Sequence, residues 1–345
     1  MYRQFSYEEV LCSAEQHAWR VGELIGGDKK LDFTKPFLPE SLARTAELDF
    51  LDGDERRVVN QIRSHGYLYT FGLVEEFILP FVLDHIRSRL DGDDYRVRAM
   101  LSFAGEEAKH IQLFKRFRTE FENGFDSPCA VIGPPDAVAR TVLSHHPLSV
   151  ALVILHIEWM TQRHFLDSVR DDGTLDPQFK SLLRHHWMEE VRHAQLDTLM
   201  VECIAEACGN KERDEAIDGY LDIGGFLDAG LGQQVEFDAE SFTRATGRPL
   251  SDSERQRYLN SQRQAIRWTF LGSGMSHPNF LASVEKLRLA ARQRLEAIVP
   301  AFSWASGRIL TILKTQEKSD ERCHDTDAVE PSERPRCRRA EAGDR

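Results

Sequence analysis

One short pattern occurs twice in this chain and limits how the rest of it can fold. Residues 106–113 and 189–196 both read Glu-Glu-x-basic-His-x-Gln-Leu. Each copy places a glutamate three residues before a histidine: Glu107 with His110, and Glu190 with His193. Residues three apart share one face of an α-helix, so each pair can direct a carboxylate oxygen and an imidazole nitrogen at one point. The pattern therefore predicts two related helices that each need a partner.

An apolar segment carrying a glutamate precedes each copy. Residues 67–83 contain Glu75 and Glu76, and residues 148–160 contain Glu158. Glu158 follows Glu75 by 83 residues, and the same separation relates the two Glu-x-x-His pairs. This agreement indicates an internal duplication of a helix hairpin. It favours Glu75 over Glu76 as the buried carboxylate. The helical periodicity of the segment also places Glu75 on the apolar face. Glu76 stays open as the alternative.

These residue types form a known metal-binding set. Two Glu-x-x-His pairs and one glutamate from each of two further helices hold two iron or manganese ions in four-helix bundles. Burying four carboxylates without compensation costs several kcal/mol each, so cations are needed to offset it. A non-catalytic protein stabilised by metal is the alternative at this point.

A further imidazole lies near the second pair. His186 precedes Glu190 by four residues and so shares its helix face. The corresponding position of the first copy is Phe103. From spacing alone, His186 is either a metal ligand or part of the polar start of a helix. If His186 binds, one metal has two imidazole ligands and the other has one.

Composition excludes several classes of protein. The chain has 345 residues, is 41% hydrophobic and carries a formal net charge of −12. This charge argues against nucleic acid as a partner. No signal peptide is suggested at the N-terminus, and the two apolar helix candidates contain carboxylates, so no membrane association is expected. The six cysteines form no Cys-x-x-Cys pair, which favours a cytoplasmic location.

No alternating strand pattern occurs, so we expect an all-α fold. Beyond the second copy we expect helices over 211–232 and 239–272 and a long helix over 278–313. The predicted organisation has four parts, which are an N-terminal segment packing on the bundle (1–54), the helical bundle (55–210), additional helices completing the same domain (211–314) and a disordered tail (315–345).

The complete set resembles the ligand pattern of the p-aminobenzoate N-oxygenase family. That set comprises Glu75, Glu107, His110, Glu158, His186, Glu190 and His193. The resemblance implies a ferritin-like four-helix bundle over residues 55–210 that holds two iron ions, with manganese possible in one or both sites. It also favours His186 as a ligand, because the family carries an extra histidine four residues before the last glutamate.

The resemblance also implies a reaction. We expect a di-iron oxygenase that activates O2 through a peroxo-type intermediate and oxidises a small molecule, with N-oxygenation of an amine as the leading interpretation. A C–H hydroxylase or desaturase on the same scaffold and a ferroxidase or iron-binding protein are the alternatives. Electrons must come from an external donor, since no flavin, nicotinamide or iron–sulfur pattern is present. Tyr69 and Phe103 are candidates for the substrate pocket, and a homodimer stays open.

Overall fold

The fold is helical throughout the part of the chain that is described. The computed structural model describes residues 5–87, 90 and 94–303. Within these ranges the only extended pairing is an isolated bridge between Gly26 and Lys29. The prediction of an all-α fold is confirmed. The predicted disordered tail, 315–345, lies outside the described residues.

Short helices lead into the long ones. The first three are α1 (Tyr7–Gln16), α2 (Val21–Leu24) and α3 (Glu40–Ala43), the last followed by a 3-10 turn, Thr45–Glu47. Asn60 fixes the extended stretch before α3, because its side chain accepts hydrogen bonds from the amides of Phe37 and Leu38 and donates to the Leu38 carbonyl. Phe37 stacks on Phe179, at 5.3 Å between ring centroids. The N-terminal segment is thus packed on the helices that follow.

Four long helices and one short one make up the centre of the fold. They are α4 (Gly53–Arg87), α5 (Asp94–Phe125), α6 (Pro135–Leu143), α7 (Pro147–His164, continued by a π-helical turn, Phe165–Val169) and α8 (Pro177–Glu206). Helix α4 packs against α5, α7 packs against α8, and α5 also meets α8. The two packed pairs are the two halves of the sequence duplication.

Local sequence explains where these helices begin. Helix α4 starts with a reciprocal pair, in which the Asp52 carboxylate accepts from the amide of Glu55 and the Glu55 carboxylate accepts from the amide of Asp52. Helix α8 starts at Pro177, and the Asp176 carboxylate accepts from the amide of Phe179. Each cap satisfies amides that have no partner inside the helix.

Helix α4 has the length and apolar composition of a membrane span. Of its most apolar stretch, 67% is buried inside the protein. It is contacted by α5, α6 and, further along the chain, the helix that begins at Asn210. This packing accounts for its composition, since a helix buried on several sides needs apolar residues on several faces.

The C-terminal helices cover α4 and α7. They are α9 (Asn210–Thr246), α10 (Asp252–Arg267, continued by a π-helical turn, Trp268–Gly272), α11 (Ser273–Met275), α12 (Pro278–Leu287) and α13 (Leu289–Ile298). The expected long helix over 278–313 is wrong in its described part. It breaks at Arg288, whose backbone is extended (φ −161°, ψ 125°). The expected break after residue 232 is also wrong, because α9 continues to Thr246.

Candidate metal centre

The seven predicted ligands lie inside the bundle formed by α4, α5, α7 and α8. None of them is more than 3% exposed. They are Glu75 from α4, Glu107 and His110 from α5, Glu158 from α7, and His186, Glu190 and His193 from α8. All four helices of the bundle therefore contribute to one buried cluster.

One group of four side chains contains His186. It consists of Glu75, His110, His186 and Glu190, whose ligand atoms lie within 4.8 Å of one another. His186 Nε2 lies 3.1 Å from Glu75 Oε1 and 2.8 Å from Glu190 Oε1. His110 Nδ1 lies 3.5 Å from Glu75 Oε1 and 3.1 Å from Glu190 Oε1. This spacing is suited to a single cation between the four residues.

A second group shares His110 and Glu190 with the first. Its other members are Glu107 and His193, again with all ligand atoms within 4.8 Å. His193 Nδ1 lies 2.9 Å from Glu107 Oε1 and 3.4 Å from Glu190 Oε2. Glu158 belongs to neither group, but its carboxyl group lies close to that of Glu190. The structure thus brings two adjoining candidate sites together, with Glu158 beside them.

Unpaired atoms show that the cluster fits metal ions. Neither carboxylate oxygen of Glu107 has a hydrogen-bond partner, and the same holds for Nδ1 of His110 and of His193. These atoms approach one another closely without the alignment of a hydrogen bond. Buried polar atoms without partners are costly, and two cations at these positions would satisfy them. Glutamate and histidine together suit iron and manganese.

The charges of the cluster are strongly coupled. Burial raises the pKa of Glu107 to about 7, and the nearby Glu75 carboxylate adds to the rise. Burial and the Glu190 carboxylate raise the pKa of Glu158 well above its ordinary value. Burial opposes ionisation of Glu190 as well, but His186 and His193 hold its pKa well below the ordinary value. Protons therefore occupy part of a site that cations would otherwise neutralise, and metal binding must release them.

The structure distinguishes between the two neighbouring glutamates of α4. Glu75 points into the first group of ligands and is 3% exposed. The Glu76 side chain is 32% exposed and lies 3.4 Å from the ammonium nitrogen of Lys115. The geometry therefore brings Glu75, and not Glu76, to the cluster.

Sequence reasoning missed the carboxylates that hold the two repeated histidines. Glu189 Oε2 lies 2.8 Å from His110 Nε2, and Glu106 Oε2 lies 2.8 Å from His193 Nε2. Each histidine is thus oriented by a glutamate from the opposite helix, which leaves its Nδ1 facing the cluster. The signal was available, because both copies of the repeat begin with two glutamates and only the second of each pair was assigned a role.

The repeated basic residue completes this arrangement. Arg192 donates to Glu106 over 2.9 Å, and Lys109 donates to Glu189. Burial opposes ionisation of Glu106, but the hydrogen bond with His193 and the charge of Arg192 lower its pKa to about 2. The order shared by the two copies, Glu-Glu-x-basic-His, therefore gives each copy its own ligands, a carboxylate that supports the histidine of the other copy, and a cation that pairs with the other copy's supporting carboxylate.

A second missed residue is Asp197, one helical turn after His193. It is fully buried, and neither of its carboxylate oxygens has a hydrogen-bond partner. Burial raises its pKa well above the ordinary value, and the charges of Glu107 and Glu190 act in the same direction. Asp197 is therefore a buried carboxyl group close to the cluster, whose neutral form is favoured by burial. Its counterpart in the first copy is Phe114, so the duplication gave no signal for it.

The two predicted pocket residues lie at different places. Phe103 packs on His193, at 4.3 Å between ring centroids. Tyr69 donates a hydrogen bond of 2.5 Å to the carbonyl of Ile132. Neither side chain lines the apolar cavity of about 380 Å³ beside the bundle, although Ile132 does.

Phe71 connects that cavity with the cluster. Its side chain lines the cavity, and its ring meets His186 edge-on at 5.3 Å between ring centroids. Val74 and Ile157, next in sequence to Glu75 and Glu158, also line it. The cavity therefore lies one side chain away from the first group of candidate ligands.

A buried carboxylate–histidine cluster inside a helical bundle defines the class of two-metal carboxylate proteins. The model of the family described as p-aminobenzoate N-oxygenase AurF matches residues 26–224. The chain belongs to this family. It is accordingly an oxidoreductase of the di-iron oxygenase class.

Solved structures of related shape are distant in sequence. One is an R2-like ligand-binding oxidase with an Fe/Fe cofactor, which is 13% identical, with coverage of 77% of this chain and 93% of that chain and a TM-score of 0.43. Another is an R2-like ligand-binding oxidase with a Mn/Fe cofactor, at 13% identity, 76% and 93% coverage and a TM-score of 0.40. No curated protein sequence matches the chain.

Proposed function

We propose that this protein holds two iron ions at the cluster and uses O2 to oxidise the nitrogen of a small amine. The observation that supports this most strongly is the pair of four-residue groups joined by His110 and Glu190. Membership of the N-oxygenase family supports nitrogen as the atom oxidised. We assign all seven predicted residues as ligands, with manganese as an alternative occupant of either site.

The protein would contribute orientation and exclusion of water. Bound iron would supply reductive activation of O2, which is chemistry that side chains lack. Glu106 and Glu189 would hold the two repeated histidines in one orientation. Asp197 would hold a proton on its carboxyl group beside the cluster, at a place that bulk water does not reach.

The apolar cavity would hold the substrate. It lies next to His186 across Phe71, and the described part of its lining contains no ionisable side chain. Such a lining suits an organic molecule and gives no attraction to ferrous ions, which argues against a ferroxidase. The cavity is at the lower end of the range of about 300–1,000 Å³ found for small-molecule sites.

The reaction would also need partners. We infer an external electron donor, either a reductase, a ferredoxin or a chemical reductant, because reduction of O2 needs more electrons than an amine supplies. The cysteines of the described residues form no disulfide with one another, which supports a cytoplasmic location. A homodimer remains a hypothesis for which solution scattering is the test.

The test is product analysis with labelled oxygen. Iron-loaded protein is reduced, mixed with an aromatic amine and exposed to ¹⁸O2, and the product is analysed by mass spectrometry. We expect ¹⁸O on nitrogen, and no product from Glu190→Ala, while Glu76→Ala keeps wild-type activity. Label found only on carbon would identify a hydroxylase instead.

A further inference from the structure

Among the described residues that line the apolar cavity, none has an ionisable side chain. Its polar side chains are Thr70, Thr141 and Gln233. Both threonine hydroxyls are already used within their own helices, since Thr70 donates to the carbonyl of Gly66 and Thr141 to that of Ala137. A bound molecule therefore meets almost only apolar surface.

Cationic side chains that flank the lining in sequence are paired with carboxylates. Arg140, one residue before Thr141, lies 2.5 Å from Asp136. Arg267, on the helix that leads to Phe270, lies 2.8 Å from Asp228. A carboxylate placed in the cavity would thus lose its hydration and gain no cation in return, which is strongly unfavourable.

Aromatic rings mark both ends of the cavity. Phe226 lines it and is 39% exposed, so its side chain lies at the mouth. Phe71 lies at the inner end, against His186. Phe270 also lines the cavity and packs on Phe71, at 5.9 Å between ring centroids. Offset and edge-on contacts with such rings favour a flat aromatic ligand.

We propose that the cavity selects uncharged aromatic amines and excludes aminobenzoates. This inference rests on the function proposed above and names its substrate class. A neutral ring would fill the apolar space with its amine directed past Phe71 towards His186. An acidic substrate such as the one in the family's description would have to place its carboxylate against apolar side chains, with no cation among the described lining residues.

The test compares 4-isopropylaniline with p-aminobenzoate. The two share an aminophenyl ring and have equally many heavy atoms, but only the second is anionic at neutral pH. Binding to the metal-loaded protein is measured by equilibrium dialysis without O2. We expect 4-isopropylaniline to bind at least about 100-fold more tightly. Equal binding, tighter binding of p-aminobenzoate, or no binding of either compound would overturn the proposal.

Variants of the lining locate the bound molecule and test the role of charge. Thr141→Lys adds a cation to the lining, and Thr141→Met adds a side chain of similar length without charge. We expect at least about tenfold tighter binding of p-aminobenzoate to Thr141→Lys than to Thr141→Met. Ala137→Trp fills the cavity and should abolish binding of 4-isopropylaniline. Unchanged binding to Ala137→Trp would place the amine elsewhere and overturn the proposal.

Failure of the selectivity and failure of the proposed function give different results. If 4-isopropylaniline binds in the cavity but is oxidised only at carbon, the selectivity stands and N-oxygenation is wrong. If p-aminobenzoate binds as tightly and is N-oxygenated, the function stands and the selectivity is wrong.

Discussion

At the scale of single residues, the two repeated histidines are supported in the same way from opposite directions. Helix α8 supplies Glu189 to His110 of α5, and α5 supplies Glu106 to His193 of α8. Carboxylates of this kind fix the orientation of a ligating imidazole and raise its basicity. Their loss should therefore weaken metal binding although no ligand is removed.

We predict that Glu106→Gln and Glu189→Gln each lower metal affinity by about 10- to 100-fold. Anaerobic titration with Mn(II), followed by calorimetry, measures the change. Glu120→Gln is the matched control, since Glu120 is also buried on α5 but pairs with Lys30 and Arg116 away from the cluster. Wild-type affinity in both of the first two variants would show that the carboxylates do not support the ligands.

A buried acid outside the cluster should link folding to pH. Burial raises the pKa of Asp238 to about 7, although the charge of Arg63 opposes the rise. The folded protein then keeps a proton that the unfolded chain loses near pH 4, so this group's contribution to stability falls between about pH 4 and 7. Asp238→Asn should remove that dependence.

The difference in unfolding free energy between Asp238→Asn and the wild type is the quantity to measure. As the pH rises from about 4 to 7, the unfolding free energy of the variant should increase relative to that of the wild type by about 1.4 kcal/mol per pH unit. Urea unfolding at pH 5 and pH 7 measures it, and all other groups contribute equally to both proteins. A difference that is the same at both pH values would contradict the assigned pKa.

At the scale of elements, the duplicated hairpin could be predicted because one separation of 83 residues relates three pairs of side chains. The ends of other helices could not be predicted from the sequence. Helix α9 runs through Gly230 and Gly232, where glycine weakens an isolated helix, because it packs on α4 and α7. The chain leaves the helix at Arg288 without any proline or glycine nearby to signal it. In α9, tertiary packing outweighs the low helix propensity of the two glycines.

Helix α9 also holds one wall of the cavity in place. The side chain of Gln234 accepts from the amide of Ile132 and donates to the carbonyl of Ala130 and the carboxylate of Asp238. The contacts with Ile132 and Ala130 join residues 102 and 104 positions apart in the sequence, so no sequence pattern marks them. They should determine how rigid the segment before α6 is.

We predict that Gln234→Ala destabilises the protein by about 1–3 kcal/mol, because buried groups lose their partners. Hydrogen exchange at the amide of Ile132 should become faster. Gln233→Ala is the matched control, since Gln233 is the exposed neighbour on the same helix. Equal exchange in the two variants would show that Gln234 does not hold the segment.

At the scale of the whole molecule, the fold is organised around buried charges that need compensation. The two Glu-x-x-His pairs and two lone glutamates could be found from the sequence because ligand chemistry restricts residue type and spacing. Glu106 and Glu189 recur in the repeat, but each contacts the histidine of the other copy, and that pairing exists only in the fold. Asp197 has no acidic counterpart in the first copy. The cavity could not be predicted either, because its lining comes from five separate parts of the chain.

The most direct test of the central claim is the metal content of the purified protein and its variants after anaerobic loading with Fe(II). We predict about two irons per chain for the wild type, with loss of metal in Glu107→Ala and Glu190→Ala. His186→Ala should selectively weaken one of the two ions, since His186 belongs to only one group of ligands. Equal iron in Glu107→Ala, Glu190→Ala and the wild type would contradict the assignment of the cluster as a di-iron site.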